Sequence, residues 1–382
     1  KGFKGQEDFI RQHNYELFSW GVRFFKQFQK EEFSVKVSPA SGGILEYNHF
    51  IEEVALAPAI EKDAARKQAE DFFKNVSGIN MDEYDFHEEM IRRYDKRTDY
   101  SFSWEKKGVY IPWNKDEGGA KLLIGATISG NGLMQFYRNR LDIPEKFSRD
   151  IEKQMAFGEY LFALHFIVFT FLIVSSIFIV ARRKNSIINN YCKRWFLALG
   201  IFLVVVNTAS IFNDIQSVVI SYPTSISMGS FLGIYIIKML INLVLFSAAF
   251  VLPGIAGESL RKEVLPGARQ SSFTHYLLST FYSRPAAGMV LLGHLIFIIM
   301  LGMQAAMFYL GQKYLGVWKE WLRLAQFSSS YIPFFGAFVV GISASLSEEV
   351  IFRLFGISWG RKYLRNTFLA ILFTAIVWGF GH

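Results

Sequence analysis

Residues 158–181, "GEYLFALHFIVFTFLIVSSIFIVA", form the apolar segment that decides the fold class of this 382-residue chain. A helix needs about 20 apolar residues to cross the ~30 Å hydrocarbon core of a bilayer, and this segment is long enough. Three basic residues follow at once, Arg182, Arg183 and Lys184. The pattern predicts a membrane-spanning helix that ends at a basic, cytoplasmic boundary.

Similar apolar segments recur through the rest of the chain. Further spans are predicted at about 195–211, 232–252 and 287–310, after Pro333, and from near Phe368 onward. Hydrophobic residues make up 51% of the chain and aromatic residues 17%, which is a rich content for a soluble protein. We therefore expect an α-helical polytopic membrane bundle with at least six spans.

Residues 1–155 are polar and mixed, and they predict an extramembrane α+β domain. Helical spacing in residues 57–78 predicts a helix with Gly78 as a candidate cap and with an apolar side made of Ile60, Ala64, Ala65, Ala69, Phe72 and Phe73. Residues 99–113 predict two strands around a turn at Lys107-Gly108, and residues 120–141 predict a hairpin with Asn131-Gly132 at its turn. The order of helix and hairpin over residues 60–145 resembles small PepSY-type modules.

Charge in the short loops predicts the orientation. The formal net charge is +8, and residues 182–194 contain five basic side chains and no acidic ones, which is typical of a cytoplasmic loop. The uncharged loop at 217–230 should then lie outside, together with residues 1–155. We expect a multi-pass protein of the cell (inner) membrane with an extracytoplasmic 1–155 region. The expected partners are the lipid bilayer and a membrane protein or peptide, and no nucleic acid.

The ends of the chain suggest that it is a piece of a longer protein. It begins at Lys1 without a signal peptide and stops at His382 inside an apolar run. An additional N-terminal anchor helix is expected before Lys1.

The stretch "GISASLSEEVIFRLFG", residues 341–356, places three charged residues inside an apolar helix. Each ionised group costs roughly 2.5–3.5 kcal/mol at the centre of a spanning helix. Glu349 and Arg353 are spaced i, i+4 in the favourable order for an ion pair. Glu348 is rotated by about 100° from Glu349, so it should face another part of the bundle. There it is suited to take a proton from water as a general base.

The sixth predicted span offers a partner in "VWGFGH", residues 377–382, which puts Trp378 and His382 on one helix face. Glu348 is expected about 10 residues from the end of its helix, roughly 15 Å, and His382 about 16 residues into the next, roughly 24 Å. The two meet only if the sixth helix starts earlier or tilts.

The remaining intramembrane polar residues are interpreted as ordinary packing groups. His165 is assigned to a hydrogen bond with a neighbouring helix. His294 receives the same interpretation, with the cavity wall as its alternative, and Lys238 is expected to pair with a carboxylate or with a group outside the membrane.

"EEVIFR" matches the EExxxR motif, and "WGFGH" resembles the FxxxH motif, of the type II CAAX prenyl proteases and the bacterial CAAX protease and bacteriocin-processing (ABI) family. The resemblance implies an intramembrane endopeptidase in which Glu348 activates water and His382 helps to hold that water. Glu349 and Arg353 match the supporting pair, and Trp378 replaces the usual Phe. The family also uses a His followed by Asn or Asp on a later span to stabilise the oxyanion, and this chain does not reach that motif.

The resemblance covers about residues 285–382. It implies that these residues are the N-terminal part of a CAAX-protease-like domain and that residues 156–280 are accessory transmembrane helices. No cofactor is expected, because Glu348 and His382 are too few ligands for a zinc site. Two alternatives remain open. One is a non-catalytic membrane binding or immunity protein with 1–155 as its receptor, and the other is a transporter with Glu348 as its proton site.

Overall fold

The structure is a computed structural model, and it describes residues 2–56, 60–113, 118–130, 132–188, 192–264, 273–315 and 329–381. It divides into two compact units. The first unit contains Lys1–Gln154 and Ile220–Leu232, and the second contains Met155–Val219 and Gly233–His382.

The first unit is built on an antiparallel sheet with the strand order β1-β2-β3-β7-β6-β5-β4. Its strands are β1 (Trp20–Phe25), β2 (Glu32–Val37), β3 (Ile44–Phe50), β4 (Tyr84–Arg93), β5 (Thr98–Pro112), β6 (Gly119–Ser129) and β7 (Gly132–Asp142). Its helices are α1 (Gly2–His13), α2 (Lys62–Asn75) and a short 3₁₀ helix (Met81–Glu83). The predicted α+β character of this region is thus present.

Helix α2 forms because its apolar residues recur at helical spacing. Most of the predicted apolar side is buried, with Ala65, Ala69 and Phe73 completely buried and Ile60 and Phe72 partly buried. The prediction is wrong for Ala64, which is exposed. Phe73 packs edge-on against Trp104 of β5, with 5.4 Å between ring centroids. Gly78 follows the end of the helix with a φ of +62°, a conformation that glycine adopts without a steric penalty.

The structure corrects the prediction of two strands in residues 99–113. Residues 99–112 belong to the single strand β5, in which the register with β6 shifts between Glu105 and Tyr110. Gly108 lies in this interval with a φ of +71°, so the irregularity is absorbed inside the strand and the chain does not turn back. The predicted β6–β7 hairpin is confirmed, with Ser129 paired to Gly132, while Asn131 lies outside the described residues.

The helices that follow the sheet are long and apolar. They are α3 (Glu145–Arg182), α4 (Lys184–Ile188), α5 (Cys192–Asn213), α6 (Ile215–Val219), α7 (Met228–Val264), α8 (Phe273–Phe281), α9 (Arg284–Leu315), α10 (Pro333–Glu348), α11 (Ser358–Leu364) and α12 (Thr367–Phe380). A π-helical segment, Glu349–Ile357, joins α10 to α11 without a break.

Within the described residues, five helices are long and apolar enough to cross a membrane: α3, α5, α7, α9 and the continuous helix Pro333–Leu364. These are the features of a multi-pass membrane protein. The sixth predicted span corresponds to α12, which has 14 residues and a length of about 21 Å. Because this is shorter than the ~30 Å hydrocarbon core, six full spans are not confirmed.

Residues 220–232, which follow α6 and include the first residues of α7, belong to the same unit as the sheet. Arg23 of β1 donates to the carbonyl oxygens of Ile220 and Tyr222, each at 2.8 Å, and the Phe28 N–H donates to the Thr224 carbonyl at 2.6 Å. The Tyr222 side chain is buried. Two of the long apolar helices, α3 and α5, separate these residues from the sheet in sequence.

Small residues let the helices of the second unit approach closely. A Cβ atom at Gly257 of α7 would lie 2.9 Å from the backbone nitrogen of Phe355, and one at Gly356 would lie 2.7 Å from a methyl group of Thr374 on α12. Close backbone contact of this kind is typical of packing between membrane helices. It holds α7 and α12 against the π segment, which directly follows Glu348.

Candidate active site

The second unit has a partly open cavity of about 180 Å³ beside Glu348. Its walls come from α3, α7, the junction of α10 with the π segment, and the end of α12. The lining residues are His165, Phe169, Phe246, Ala249, Phe250, Ser347, Glu348, Ile351, Phe352, Trp378 and Gly381. Most of this wall is apolar, and a cavity of this size has room for several water molecules.

Glu348 and Trp378 are joined by a hydrogen bond across this cavity wall. The indole Nε1–H of Trp378 donates to Oε2 of Glu348 at 2.8 Å. Glu348 is half-buried at the last position of α10, and Trp378 lies near the end of α12. The structure therefore brings the "EEVIFR" and "WGFGH" segments together at these two side chains, and it places the carboxylate beside a water-sized space.

From the sequence, Glu348 and the "WGFGH" segment were expected at different distances from the connection between their helices. The helix that contains Glu348 is longer than expected, and this removes the difference. This helix continues to Leu364, which is 16 residues beyond Glu348 and about 24 Å along a regular helix. Arg365 then adopts a left-handed conformation, and the Asn366 side chain accepts from the Leu369 N–H at 3.1 Å to begin α12. The tight connection brings the end of α12 back to the level of Glu348.

Glu349 and Arg353 form the predicted ion pair, with Arg353 Nη1 donating to Glu349 Oε1. The helix type differs from the expected α-helix, because residues 349–357 are π-helical. The pair survives because a spacing of four residues is close to one turn in either helix. Both side chains are more than half exposed, at 57% and 56%, so the pair lies on the outer surface of the described bundle and away from the cavity. Short π segments inside α-helices are rare and frequently occur at functional sites.

His165 of α3 lines the cavity, a position that the sequence did not reveal. Its Nδ1 lies 2.7 Å from the carbonyl oxygen of Val377 on α12, so the predicted hydrogen bond to another helix is present. Its ring packs beside Phe169 and Phe352, at centroid distances of 5.8 and 6.0 Å. A lone histidine in an apolar span indicates some polar partner, but it does not indicate which helix provides that partner.

The other candidates from the sequence lie elsewhere. His294 of α9 is exposed and, among the described residues, bonds within its own helix to the Val290 carbonyl; it is not part of the cavity wall. Lys238 of α7 is exposed, and no carboxylate within the described part of the chain forms a salt bridge with it. His382, the second expected catalytic residue, lies outside the described residues.

A second polar cluster, which the sequence did not indicate, lies at the basic ends of α3, α7 and α11. Glu258 of α7 is completely buried, and its two carboxylate oxygens accept from Nε and Nη2 of Arg261 at 2.6 and 3.0 Å. One turn on, Glu263 accepts from Lys362 of α11 at 3.1 Å and from Arg183, the residue directly after α3. These bonds tie the ends of three helices together, about two turns beyond the last α7 residue that lines the cavity.

Over the described ranges, no group of three or more His, Cys, Asp or Glu side chains is arranged to hold a metal ion. Comparison of the chain with protein-family models, with curated proteins and with solved structures gives no match. The likeness to the CAAX proteases therefore rests on the residues of the two motifs.

Proposed function

We propose that this chain is part of an intramembrane endopeptidase in which Glu348 activates a water molecule for hydrolysis of a peptide bond. One observation carries this proposal: a half-buried carboxylate, held by the indole of Trp378, lines a water-sized cavity between membrane-length helices. A carboxylate inside a membrane bundle is costly, and such residues are usually functional. An apolar wall around it excludes bulk water and strengthens the electrostatic interactions inside.

The chemistry follows from the position of Glu348. Its carboxylate takes a proton from water while the water oxygen attacks the carbonyl carbon of the substrate. The C–N bond then breaks, and the proton held by Glu348 passes to the departing amine. The products are a carboxylic acid and an amine, and Glu348 returns to its ionised state.

Supporting roles follow the motif resemblance residue by residue. Trp378 orients the Glu348 carboxylate through its hydrogen bond, and His382 is proposed as the histidine that helps to hold the water. Glu349, the residue after Glu348, forms an ion pair with Arg353. This pairing lowers the free-energy cost of placing these two charges in the membrane. No metal or other cofactor takes part in this scheme.

The proposed substrate is a membrane protein or a membrane-embedded peptide, because the cavity belongs to helices of spanning length. The proposed setting is the cell (inner) membrane, with residues 1–155 on the extracytoplasmic side. That orientation is supported by the five basic residues and no acidic ones in the 182–194 loop.

Cleavage in liposomes tests the proposal. The protein is reconstituted with a library of single-span peptides that carry a fluorophore and a quencher at opposite ends. We expect Glu348→Gln to lower kcat by at least about 100-fold, because general-base catalysis typically contributes 10²–10⁴-fold. His382→Ala should also lower kcat. Glu152→Gln is the matched control, because Glu152 is an exposed carboxylate that does not line the cavity, and it should cleave as the wild type does.

The protease mechanism is wrong if Glu348→Gln and His382→Ala cleave as fast as the wild type. A folded wild-type protein that cleaves no member of the library favours the binding or immunity alternative. Proton movement driven by a solute gradient, lost in Glu348→Gln, favours the transporter alternative.

A further inference from the structure

The His165 ring is held in one orientation by the end of α12. The Gly381 N–H donates to the Trp378 carbonyl at 3.1 Å, so it does not make the regular helical bond to Val377. The Val377 carbonyl instead accepts from His165 Nδ1 at 2.7 Å. The edge of the ring also lies against Gly381, where an added Cβ would be only 2.7 Å from Cε1 of His165.

This hydrogen bond defines which nitrogen carries the proton. A carbonyl oxygen can only accept, so Nδ1 of His165 must be the donor. In the neutral ring, Nε2 then has a lone pair and acts as an acceptor. His165 and Glu348 are the two titratable side chains among the described residues that line the cavity. The cavity wall thus contains two residues that can each accept a hydrogen bond, and each is oriented by a contact with α12.

We infer that His165 is a further catalytic residue that holds the attacking water, accepting one hydrogen at Nε2 while Glu348 accepts the other. This inference rests on the proposed function. A water molecule whose two hydrogens are both held turns its lone pairs away from the two acceptors, toward a substrate carbonyl. As the new C–O bond forms, Glu348 takes its proton. The other hydrogen stays on the oxygen that becomes part of the product, so His165 remains neutral throughout.

Two amide substitutions separate this role from simple helix packing. In His165→Asn, the amide nitrogen of the shorter side chain overlaps the Nδ1 position, so this variant can still donate to Val377 but offers nothing at Nε2. The longer side chain in His165→Gln places its amide near the Nε2 position and loses the bond to Val377. We expect His165→Asn to be more stable than His165→Gln, because it keeps the bond to Val377, while its kcat for the liposome reporters falls by about 10- to 100-fold below the wild-type value. We expect His165→Gln to be less stable but to keep more activity per folded molecule. A packing role alone predicts the reverse order of activities.

A spectroscopic measurement tests the same inference without cleavage. The ¹⁵N signals of the His165 ring are recorded for the protein in lipid nanodiscs and assigned by their absence from His165→Asn. We expect the proton on Nδ1 in the neutral ring, and a shift of the Nε2 signal in Glu348→Gln, because a shared water couples the two side chains. A proton on Nε2, or a spectrum unchanged by Glu348→Gln, would overturn the inference.

The cleavage results distinguish the two proposals. If the wild type cleaves, Glu348→Gln does not, and His165→Asn cleaves at the wild-type rate, only the role of His165 is wrong. If Glu348→Gln cleaves as the wild type does, the proposed function fails and the role of His165 fails with it.

Discussion

The hydrogen bond between Trp378 and Glu348 gives a prediction with a magnitude. Trp378→Phe keeps an aromatic ring in the cavity wall and removes the indole N–H that lies 2.8 Å from the carboxylate. A hydrogen bond to a charged group contributes about 1.5–3 kcal/mol, and one between neutral groups about 0.5–1.5 kcal/mol. The smaller ring also loses packing, so the single substitution does not isolate the bond.

A double-mutant cycle removes the packing term. We expect a coupling free energy of about 1.5–3 kcal/mol between Trp378→Phe and Glu348→Ala if the carboxylate is ionised. The free energy of unfolding is measured by SDS titration in bicelles at neutral pH for the wild type, both single variants and the double variant. A coupling of about 0.5–1.5 kcal/mol instead identifies a protonated carboxyl group, which could not act as the general base.

Trp359→Phe provides the matched control for ring size. Trp359 packs against Phe171 of α3 at a centroid distance of 5.5 Å and makes no bond to Glu348. Its coupling with Glu348→Ala should be close to zero. A coupling below about 0.5 kcal/mol for Trp378 and Glu348, equal to that of the control pair, refutes the argument that this bond orients the carboxylate.

Three further predictions concern packing, the buried charge and pH. Gly356→Ala should lower the unfolding free energy by about 1–3 kcal/mol, because the new methyl group would lie only 2.7 Å from the Thr374 side chain of α12. Gly341→Ala places its methyl group in open space and should leave the unfolding free energy unchanged in the same SDS titration. Glu258→Gln should cost about 3 kcal/mol, because it removes a completely buried carboxylate that accepts two bonds from Arg261. Glu263→Gln, at a 40% exposed side chain, should cost less than about 1 kcal/mol, and equal losses contradict the assignment. Burial raises the pKa of Tyr137, although a nearby arginine opposes the shift. The contribution of the neutral Tyr137 side chain to stability is therefore complete below pH ~10 and falls as the pH rises through the folded-state pKa. Tyr137→Phe should show a smaller loss of unfolding free energy than the wild type between about pH 9 and 11.

The spanning helices could be predicted from sequence because bilayer thickness fixes how many apolar residues a span needs. The start of the sixth segment was predicted near Phe368, and α12 begins at Thr367. Local exceptions were not predictable. A glycine after two lysines is compatible both with a reversal of the chain and with a bulge inside one strand. The pairing of β5 with β6 on both sides of Gly108 shows that it lies within one strand.

Half of the candidate site was visible in the sequence for a geometric reason. The spacing of Glu349 and Arg353 is one turn of helix, and neighbouring positions necessarily face different directions, so Glu348 had to face elsewhere. This argument holds for an α-helix and for the π segment alike, which is why the ion pair is present although the helix type was wrong. The π segment packs closely against α7 at Phe355 and against α12 at Gly356, and the sequence of one helix does not contain those contacts.

The position of His165 depends on two events that are distant in sequence. Its partner, Val377, lies 212 residues away, and the Val377 carbonyl is open only because the last bond of α12 shifts to Trp378. A polar group inside a membrane must find a partner within the protein, so the sequence requires that His165 has one. The candidates are few, because nearly every backbone carbonyl within a spanning helix is already bonded. They are concentrated in the last turns of neighbouring helices, and the end of α12 is also where Trp378 reaches Glu348. A histidine that donates to a carbonyl at this helix end therefore lies near the cavity that the same helix end lines. His165 and Glu348 both bond to residues at the end of α12, and for this reason they line one cavity.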